Sequence, residues 1–182
     1  MRLLVTGSAD GLGRLAAQAL QEAGHDVVVH ARSDERAVGV RDLIDRGADL
    51  VVGDLADRDA VVGIAAQLVG LPVADAVIHN AGVWSGPAVM PVNVVAPYLL
   101  TALVPGPSRL VYLSSGSHFG GHRAVDRTIW AGAGAGSYGD SKLFVTTLAA
   151  AVARLRPDVL SNAVDPGWVP TLDGWTRRTR GS

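Results

Sequence analysis

Short apolar segments alternate along the chain with stretches in which apolar residues recur every three or four positions. Segment 3–6 is mostly apolar and predicts a buried strand, whereas 11–23 has helical spacing. Further strands are predicted at 26–30, 50–52, 76–79, 109–114 and 159–164, and further helices at 33–46, 57–68, 91–103 and 137–155. Nearly continuous apolar strands that alternate with helices are typical of a parallel sheet covered on both faces. We therefore predict an α/β fold with a doubly wound parallel sheet and three α/β/α layers, in a single domain spanning residues 1–182.

Three residues mark where predicted helices begin or end. Gly24 is expected to end the first helix as a C-terminal cap. Ser33 is expected to begin the next, because the acids that follow it complement the helix dipole. Pro91 is expected to open the helix at 91–103, since proline fits the first helical turn.

Composition and charge exclude several classes of protein. Of the 182 residues, 48% are hydrophobic and 18% are charged, which excludes a disordered chain. Sixteen basic and seventeen acidic residues give a net charge of −1, so nucleic-acid binding is not expected. The sequence has no cysteine and its five histidines lack metal-ligand spacing, so neither disulfides nor a metal are expected.

We expect a cytoplasmic protein without a membrane partner. Only three apolar residues, Leu3 to Val5, lie between Arg2 and Thr6, which is too few for a secretory signal. No apolar run approaches the roughly 20 residues that span a bilayer.

A glycine-rich loop, Thr6-Gly-Ser-Ala-Asp-Gly-Leu-Gly13, follows the first predicted strand. Its glycines permit a tight turn and let backbone N–H groups and a helix N-terminus approach a pyrophosphate, although such loops also occur for packing alone. The Thr-Gly-xxx-Gly-x-Gly spacing resembles the short-chain dehydrogenase/reductase family. This resemblance implies a Rossmann-like fold and cofactor contacts from Gly7, Ser8, Asp10, Gly11, Leu12 and Gly13.

Arg32 stands just beyond the second predicted strand, where a dinucleotide fold reads the adenosine ribose. An arginine there suits the 2′-phosphate of NADP, with an ordinary exposed loop arginine as the alternative. Asp10 argues against NADP, because NADP-preferring relatives often carry a basic residue just before the second glycine. The sequence favours NADP(H) over NAD(H).

Three further segments are similar to motifs of the same family. Residues 54–55 resemble its Asp-Leu step beside the adenine, and 79–82 resemble its Asn-Asn-Ala-Gly segment with His79 replacing the first asparagine. Residues 166–171 resemble its Pro-Gly-x-Val-x-Thr segment, which holds the nicotinamide carboxamide. The resemblance implies cofactor contacts from Asp54, Leu55, Asn80, Ala81, Gly82, Pro166, Gly167, Val169 and Thr171. Taken alone, a lone aspartate after a strand is commonly a helix cap, and Pro-Gly is simply a turn.

Tyr138 and Lys142 are four residues apart on a predicted helix and therefore share a face. A tyrosine has a free pKa of about 10, and a nearby positive charge lowers that pKa by favouring the phenolate. The same pair is also common on helix surfaces. Lys142 is the only lysine in the chain, which suits a position that needs a compact ammonium.

Ser115 and Asn93 complete the resemblance to the family's catalytic tetrad. Ser115 follows the fifth strand at the sheet edge where ligands bind, and would hydrogen-bond the carbonyl oxygen of a substrate. Asn93 would hold a water of the proton relay, although a mid-helix asparagine is otherwise only a weak helix former. The 23 residues from Ser115 to Tyr138 resemble the branch of retinol dehydrogenases and WW-domain oxidoreductases. No Gly-x-Ser-x-Gly elbow surrounds Ser115, which argues against a hydrolase.

Two features depart from the family pattern. Only 10 residues separate Gly82 from Asn93, so the helix that carries Asn93 is expected to lack its first turns. The sequence has 11 residues after Thr171, where relatives continue through a substrate lid and a seventh strand. The sixth strand is then an open edge, and we expect a homo-oligomer to cover it, with a shortened and impaired relative of the family as the alternative.

The motifs together imply hydride transfer between NADPH and a small carbonyl or alcohol substrate. Tyr138 and Ser115 would donate the proton and polarise the carbonyl. Lys142 would lower the pKa of Tyr138 and hold the ribose, and Asn93 would anchor the water. Two alternatives stay open: a non-catalytic NAD(P)-binding protein, and an isomerase or lyase that uses the same Tyr–Lys pair.

Overall fold

The computed structural model describes residues 1–122 and 136–167. Its six strands form one parallel sheet in the order β3-β2-β1-β4-β5-β6. They are β1 (Arg2–Val5), β2 (Asp26–Ala31), β3 (Asp49–Val52), β4 (Ala76–His79), β5 (Arg109–Leu113) and β6 (Leu160–Val164). Each predicted strand is confirmed to within one residue at either end.

The connecting helices are α1 (Gly11–Glu22), α2 (Asp34–Ala37), α3 (Arg41–Asp45), α4 (Arg58–Val69), α5 (Ala96–Leu103) and α6 (Tyr138–Leu155). The two predicted cap residues are confirmed. Gly24 has a φ of +82° beyond the end of α1, and the hydroxyl of Ser33 accepts the N–H of Arg36 at the start of α2. None of these helices is long and apolar enough to cross a bilayer.

Two predicted helices differ from the observed ones. The helix at 33–46 is divided into α2 and α3 by a 3₁₀ turn at Val38–Val40. Gly39 lies in this turn, where a side chain would overlap the carbonyl of Ala9. The helix at 91–103 begins as a π-helical turn, in which Ala96 N–H donates to Pro91 five residues earlier. The next residue, Pro97, has no backbone N–H and cannot donate to the α-helical hydrogen-bond pattern.

Helices cover both faces of the sheet, because successive strand residues point to opposite sides. Leu4 and Val28 belong to a core cluster shared with α4, α5 and α6. Their neighbours Val5 and Val29 belong to a second cluster shared with α1 and α3. The predicted three-layer, doubly wound, Rossmann-like fold is confirmed.

The sheet order places a crevice at the carboxyl ends of β1 and β4. The chain runs outward from β1 to β2 and β3, and then returns to build β4, β5 and β6 on the other side of β1. Connections therefore leave these two strand ends in opposite directions, which is where open α/β sheets bind ligands.

The strand β6 is an edge strand within the described part of the chain. Its residues Leu160 and Val164 are 55% and 41% exposed. The homo-oligomer expected to cover this edge stays a prediction, as does the cytoplasmic location.

A buried polar group lies between β4, β5 and α5. The ring of His79 stacks on Tyr112 with centroids 4.7 Å apart, and the Thr101 hydroxyl lies 3.2 Å from Nε2 of His79 and 2.7 Å from the Tyr112 hydroxyl. Burial lowers the pKa of His79 to about 3, so the ring is neutral in the folded protein. The unfolded chain binds the proton more readily.

This difference predicts that stability depends on pH. Because the pKa of folded His79 lies below its unfolded value, its contribution is fully present above about pH 6.5 and is lost as pH falls towards about 3. When the pH falls from about 7 to about 5, the free energy of unfolding should decrease by about 2 kcal/mol less in His79→Asn than in the wild type. Urea unfolding at both pH values measures this loss.

Tyr112→Phe is the matched control, because it removes a hydroxyl from the same cluster and keeps His79 buried. The control should retain the wild-type pH dependence. An unchanged pH dependence in His79→Asn would contradict the assignment.

Candidate active site

The end of β1 turns sharply into the glycine-rich loop. Gly7 and Gly11 have φ values of +66° and +54°, which glycine adopts without strain. The Gly7 N–H donates to Nδ1 of His30 at 3.0 Å, and Nε2 of His30 donates to the Gly53 carbonyl at 2.9 Å. Burial lowers the pKa of His30, which keeps the ring in the neutral form that this pair of hydrogen bonds requires.

Ser8 lies buried beneath the loop rather than in the crevice. Its hydroxyl donates to the Val5 carbonyl at 2.9 Å and accepts the N–H of His30 at 2.7 Å. Its own N–H donates to the His30 carbonyl at 3.1 Å. Ser8 therefore joins β1 to β2, and neither its hydroxyl nor its N–H is available for the predicted cofactor contact.

Thr6 and Asn80 fasten the end of β1 to the end of β4, and we call these contacts the Thr6–Asn80 clasp. Nδ2 of Asn80 donates to the carbonyls of Thr6 and Gly7 at 2.9 and 3.3 Å. The Thr6 hydroxyl accepts the N–H groups of Asn80 and Ala81 at 3.0 and 3.1 Å. The clasp holds both walls of the crevice at a fixed separation.

The first turn of α1 packs directly against this clasp. A Cβ on Gly13 would overlap both the Asn80 amide nitrogen and the Gly7 carbonyl oxygen. Asp10 precedes the helix without a side-chain cap. The N-terminal N–H groups of α1 therefore face the crevice, and such groups attract anions. The loop has the shape and polarity to cradle a pyrophosphate.

A groove of about 580 Å³ runs from this loop across the ends of β2 and β3, and we call it the adenosine groove. Asp54 lies in its wall, where Oδ1 accepts the Ala56 N–H at 2.9 Å. The predicted cofactor-binding residues in its lining are Gly7, Asp10, Gly11, Leu12, Gly13, Arg32, Asp54, Leu55, Asn80, Ala81 and Gly82.

Two arginines line the adenosine groove beyond β2. Arg32 is exposed there, and Arg36 on α2 forms an ion pair with Asp10. Arg36 was not predicted at the site, although its position three residues after Ser33 places it at the same edge of the sheet. This ion pair offsets the negative charge of Asp10, which stands where NADP-preferring relatives often carry a basic residue.

A second cavity, of about 590 Å³, adjoins the first, and we call it the catalytic cavity. Leu12, Asn80, Gly82 and Val83 line both spaces, so they form one continuous crevice. The catalytic cavity brings together Ser115, Tyr138 and Lys142, as the sequence predicted. Among residues 1–122 and 136–167, no group of three His, Cys, Asp or Glu side chains could hold a metal ion.

The side chains of Ser115 and Tyr138 interact through a hydrogen bond between their hydroxyl groups. Ser115 Oγ also accepts the Ser117 N–H at 3.2 Å, and this contact caps the 3₁₀ turn Gly116–Gly120. The ring of Trp84 packs on that of Tyr138 with centroids 4.2 Å apart. The tyrosine is therefore held between a serine hydroxyl and an indole ring.

The pKa of Tyr138 differs in direction from the sequence expectation. Burial raises it, the hydrogen bond with Ser115 opposes that rise, and the charge of Asp165 adds to it. Nζ of Lys142 lies 5.4 Å from the centre of the Tyr138 ring and donates to the Leu113 carbonyl at 2.7 Å. The net rise is opposite to the lowering that the sequence predicted, and Lys142 is not among the main causes of the shift.

Lys142 is an almost fully buried lysine, with only 4% of its surface exposed. Burial lowers its pKa to about 8, because desolvation disfavours the ammonium. The Leu113 carbonyl fixes the ammonium at the floor of the catalytic cavity, near Gly82.

Asn93 is buried behind the catalytic cavity and does not line it. Its Oδ1 accepts the Val83 N–H at 2.8 Å, and its Nδ2 donates to the Val83 carbonyl and to the Ser141 hydroxyl, both at 2.9 Å. The side chain therefore supports the cavity wall and connects it to α6. Both amide hydrogens of Asn93 donate to protein groups, so they are not free to hold the predicted water.

A capping box sets the start of α6 and hence the position of Tyr138. The Ser137 hydroxyl accepts the Asp140 N–H, and the Asp140 carboxylate accepts the Ser137 N–H at 2.8 Å. The same carboxylate accepts the His122 N–H at 2.6 Å. Despite partial burial, these hydrogen bonds lower the pKa of Asp140 to about 2.

The segment after β6 closes the far side of the catalytic cavity. Asp165, Pro166 and Gly167 line it, and only the last two were predicted at the site. Val169 and Thr171 lie outside the described residues. Trp84 and Asp165 were missed because neither belongs to a motif; the signal available for both was their position just beyond a parallel strand's carboxyl end.

The close approach at Gly13 predicts a strong effect of a single methyl group. Gly13→Ala should destabilise the fold by about 2 kcal/mol, because the new Cβ must displace backbone or the Asn80 side chain. Gly63→Ala in α4 is the control, since no atom lies near its added Cβ. The control should gain about 0.5–1 kcal/mol from the higher helix propensity of alanine.

Urea unfolding measures both changes. Equal stability of Gly13→Ala and wild type would show that the loop does not pack as described.

Comparisons with known proteins agree with this geometry. The family profile for short chain dehydrogenases matches residues 2–104. An uncharacterized oxidoreductase of Emericella nidulans is 38% identical over 96% of this chain and 72% of its own length. The short-chain dehydrogenase chry4 of Gibberella zeae is 35% identical over 93% and 71%.

Solved structures show the same architecture. The NADP complex of RhlG from Pseudomonas aeruginosa superposes with a TM-score of 0.75 at 25% identity, covering 94% of this chain and 73% of that one. A Shigella flexneri protein assigned as a short chain dehydrogenase, also complexed with NADP, gives 0.76 at 27% identity, covering 94% and 78%. The branch near retinol dehydrogenases stays a prediction. The chain belongs to the short-chain dehydrogenase family and is an NAD(P)-dependent oxidoreductase that acts on a small molecule.

Proposed function

We propose that this protein transfers hydride between NADPH and a small carbonyl or alcohol, with residues 1–182 acting as one dinucleotide-binding domain. The observation that carries the proposal is the continuous crevice from the glycine-rich loop to Ser115, Tyr138 and Lys142. A dinucleotide is elongated, with its charged phosphates in the middle, and this crevice has an uncapped helix N-terminus in the corresponding place. When bound, the nicotinamide supplies or accepts the hydride.

The chain itself supplies position and a proton. Tyr138 donates the proton from its hydroxyl to the developing alkoxide oxygen, and its raised pKa favours this donor form. Ser115 holds the same oxygen through its hydroxyl. Lys142 places a positive charge at the floor of the cavity, where it would also hold the ribose of the cofactor. Asn93 acts as a positioning residue through Val83 and Ser141.

We infer a preference for NADPH from the two arginines in the adenosine groove. Arg32 has no ion-pair partner within the described residues, so its guanidinium is available for a phosphate. Arg36 forms an ion pair with Asp10, so the Asp10 carboxylate does not oppose a phosphate there. Both relatives reported above with a bound cofactor contain NADP, which supports the preference.

Removing the Tyr138 hydroxyl tests the proposed chemistry. Tyr138→Phe should lower kcat for NADPH-dependent reduction by at least about 100-fold, because the proton donor is lost. The Kd for NADPH should change by less than about threefold, and Tyr112→Phe should behave as wild type. Stopped-flow absorbance of NADPH measures kcat, and nicotinamide fluorescence measures Kd. Turnover retained in Tyr138→Phe would overturn the assignment.

Removing the Arg32 guanidinium tests the proposed cofactor preference. Arg32→Ala should raise the Kd for NADPH by about tenfold or more and leave the Kd for NADH nearly unchanged, because only NADPH offers a 2′-phosphate. Arg41→Ala is the control: Arg41 is an exposed arginine that pairs with Asp45 and does not line the groove. Equal effects on both cofactors would mean that Arg32 does not read the phosphate.

A further inference from the structure

An aromatic side chain on the wall of the catalytic cavity is largely open to solvent. Trp84 lines this cavity, and 62% of its surface is exposed. Tryptophan is highly buried on average in folded proteins, because contact between its apolar ring and water is unfavourable. The proposed reaction gives Trp84 no role, so its exposed indole is free to contact a ligand in the cavity.

Two sets of contacts fix the position of the indole. The amide of the buried Asn93 holds the N–H and the carbonyl of the preceding residue, Val83, at 2.8 and 2.9 Å. The indole packs on the Tyr138 ring with centroids 4.2 Å apart and an angle of 36° between the ring planes. Because the backbone before Trp84 and its ring are both held, the indole presents a preorganised surface to the cavity.

The indole lies next to the place where a carbonyl group would react. The hydroxyl of Tyr138 is hydrogen-bonded to that of Ser115, and the proposed reaction places the carbonyl oxygen against these two groups. Trp84 packs on the ring that carries the first of these hydroxyls. One of the two groups attached to the carbonyl carbon would therefore lie beside the indole, so Trp84 is placed to determine specificity.

We propose that Trp84 makes the protein selective for aromatic carbonyl substrates, because its exposed indole stacks on an aromatic ring attached to the carbonyl carbon. Two aromatic rings in an offset-stacked or edge-to-face arrangement gain more than the burial of their apolar area alone. A saturated ring of the same size gains only that burial. The inference rests on the proposed function for the position of the carbonyl, and it adds the class of substrate.

A matched pair of methyl ketones tests the inference. Acetophenone carries an aromatic ring, and cyclohexyl methyl ketone carries a saturated ring of the same size. The Kd of each ketone is measured by saturation-transfer NMR in the full-length protein with excess NADP⁺, which has no hydride to donate. The wild type should bind acetophenone about three- to tenfold more tightly than cyclohexyl methyl ketone.

Trp84→Leu removes the aromatic ring and keeps an apolar side chain. The ratio of the two Kd values should shift by about three- to tenfold against acetophenone, because only the aromatic ketone loses stacking. A mere displacement of Tyr138 would weaken the binding of both ketones alike and leave their ratio unchanged. Trp84→Phe keeps an aromatic ring and should hold the ratio within about twofold of wild type.

Phe119→Leu is the matched control, because Phe119 is 86% exposed on the turn after Ser115 and does not line the catalytic cavity. This variant should leave both Kd values unchanged. An unchanged ratio in Trp84→Leu, an equal shift in Phe119→Leu, or a wild type that binds neither ketone would overturn the inference. The binding assay needs no turnover, so failure of the proposed function would show separately, as absent NADPH binding or absent reduction.

Discussion

The clasp between Thr6 and Asn80 is the constraint on which the rest of the crevice depends. Each side chain satisfies backbone groups of the other strand end, so β1 and β4 are joined where their connections diverge. The clasp also leaves no room for a side chain at Gly13. The uncapped N-terminus of α1 is thereby fixed against the opening, and the site for an anion is built before any ligand arrives.

Buried titratable groups surround this opening, and hydrogen bonds to the backbone hold each of them in one orientation. His30 is neutral beneath the glycine-rich loop, where its two nitrogens join Gly7 to Gly53. Lys142 is desolvated at the other end and is anchored by a single backbone carbonyl. Fixed hydrogen-bond partners of this kind keep polar groups oriented, which is what catalysis by preorganised charge requires.

The positions of strands could be predicted from sequence because a buried parallel strand is a short, continuous apolar run. The motif residues Ser115, Tyr138 and Lys142 could also be predicted to converge, since all of them lie at one edge of the sheet. The 3₁₀ turn that contains Gly39 was missed, and the contact of this glycine with the carbonyl of Ala9 joins residues too far apart in sequence to be read from local spacing.

Side-chain roles were harder to predict than positions. Asn93 and Ser8 carry the expected residue types, yet their hydrogen bonds join backbone segments, which only the folded geometry reveals. The pKa of Tyr138 depends on burial and on Asp165, a residue remote in sequence. The spacing of four residues pointed to Lys142 as the main neighbour of Tyr138. The hydrogen bond from the Lys142 ammonium to the Leu113 carbonyl joins residues far apart in sequence, so the spacing could not reveal it.

Hydrogen–deuterium exchange with and without NADPH tests most directly whether the crevice at the clasp holds the cofactor. The account predicts that NADPH slows amide exchange in segments 9–14 and 80–84 together, because the two lie on opposite walls of one opening. Segment 58–69, the helix α4, should exchange at the same rate in both states. Protection confined to other segments, or no protection at NADPH concentrations that saturate nicotinamide fluorescence, would contradict the account.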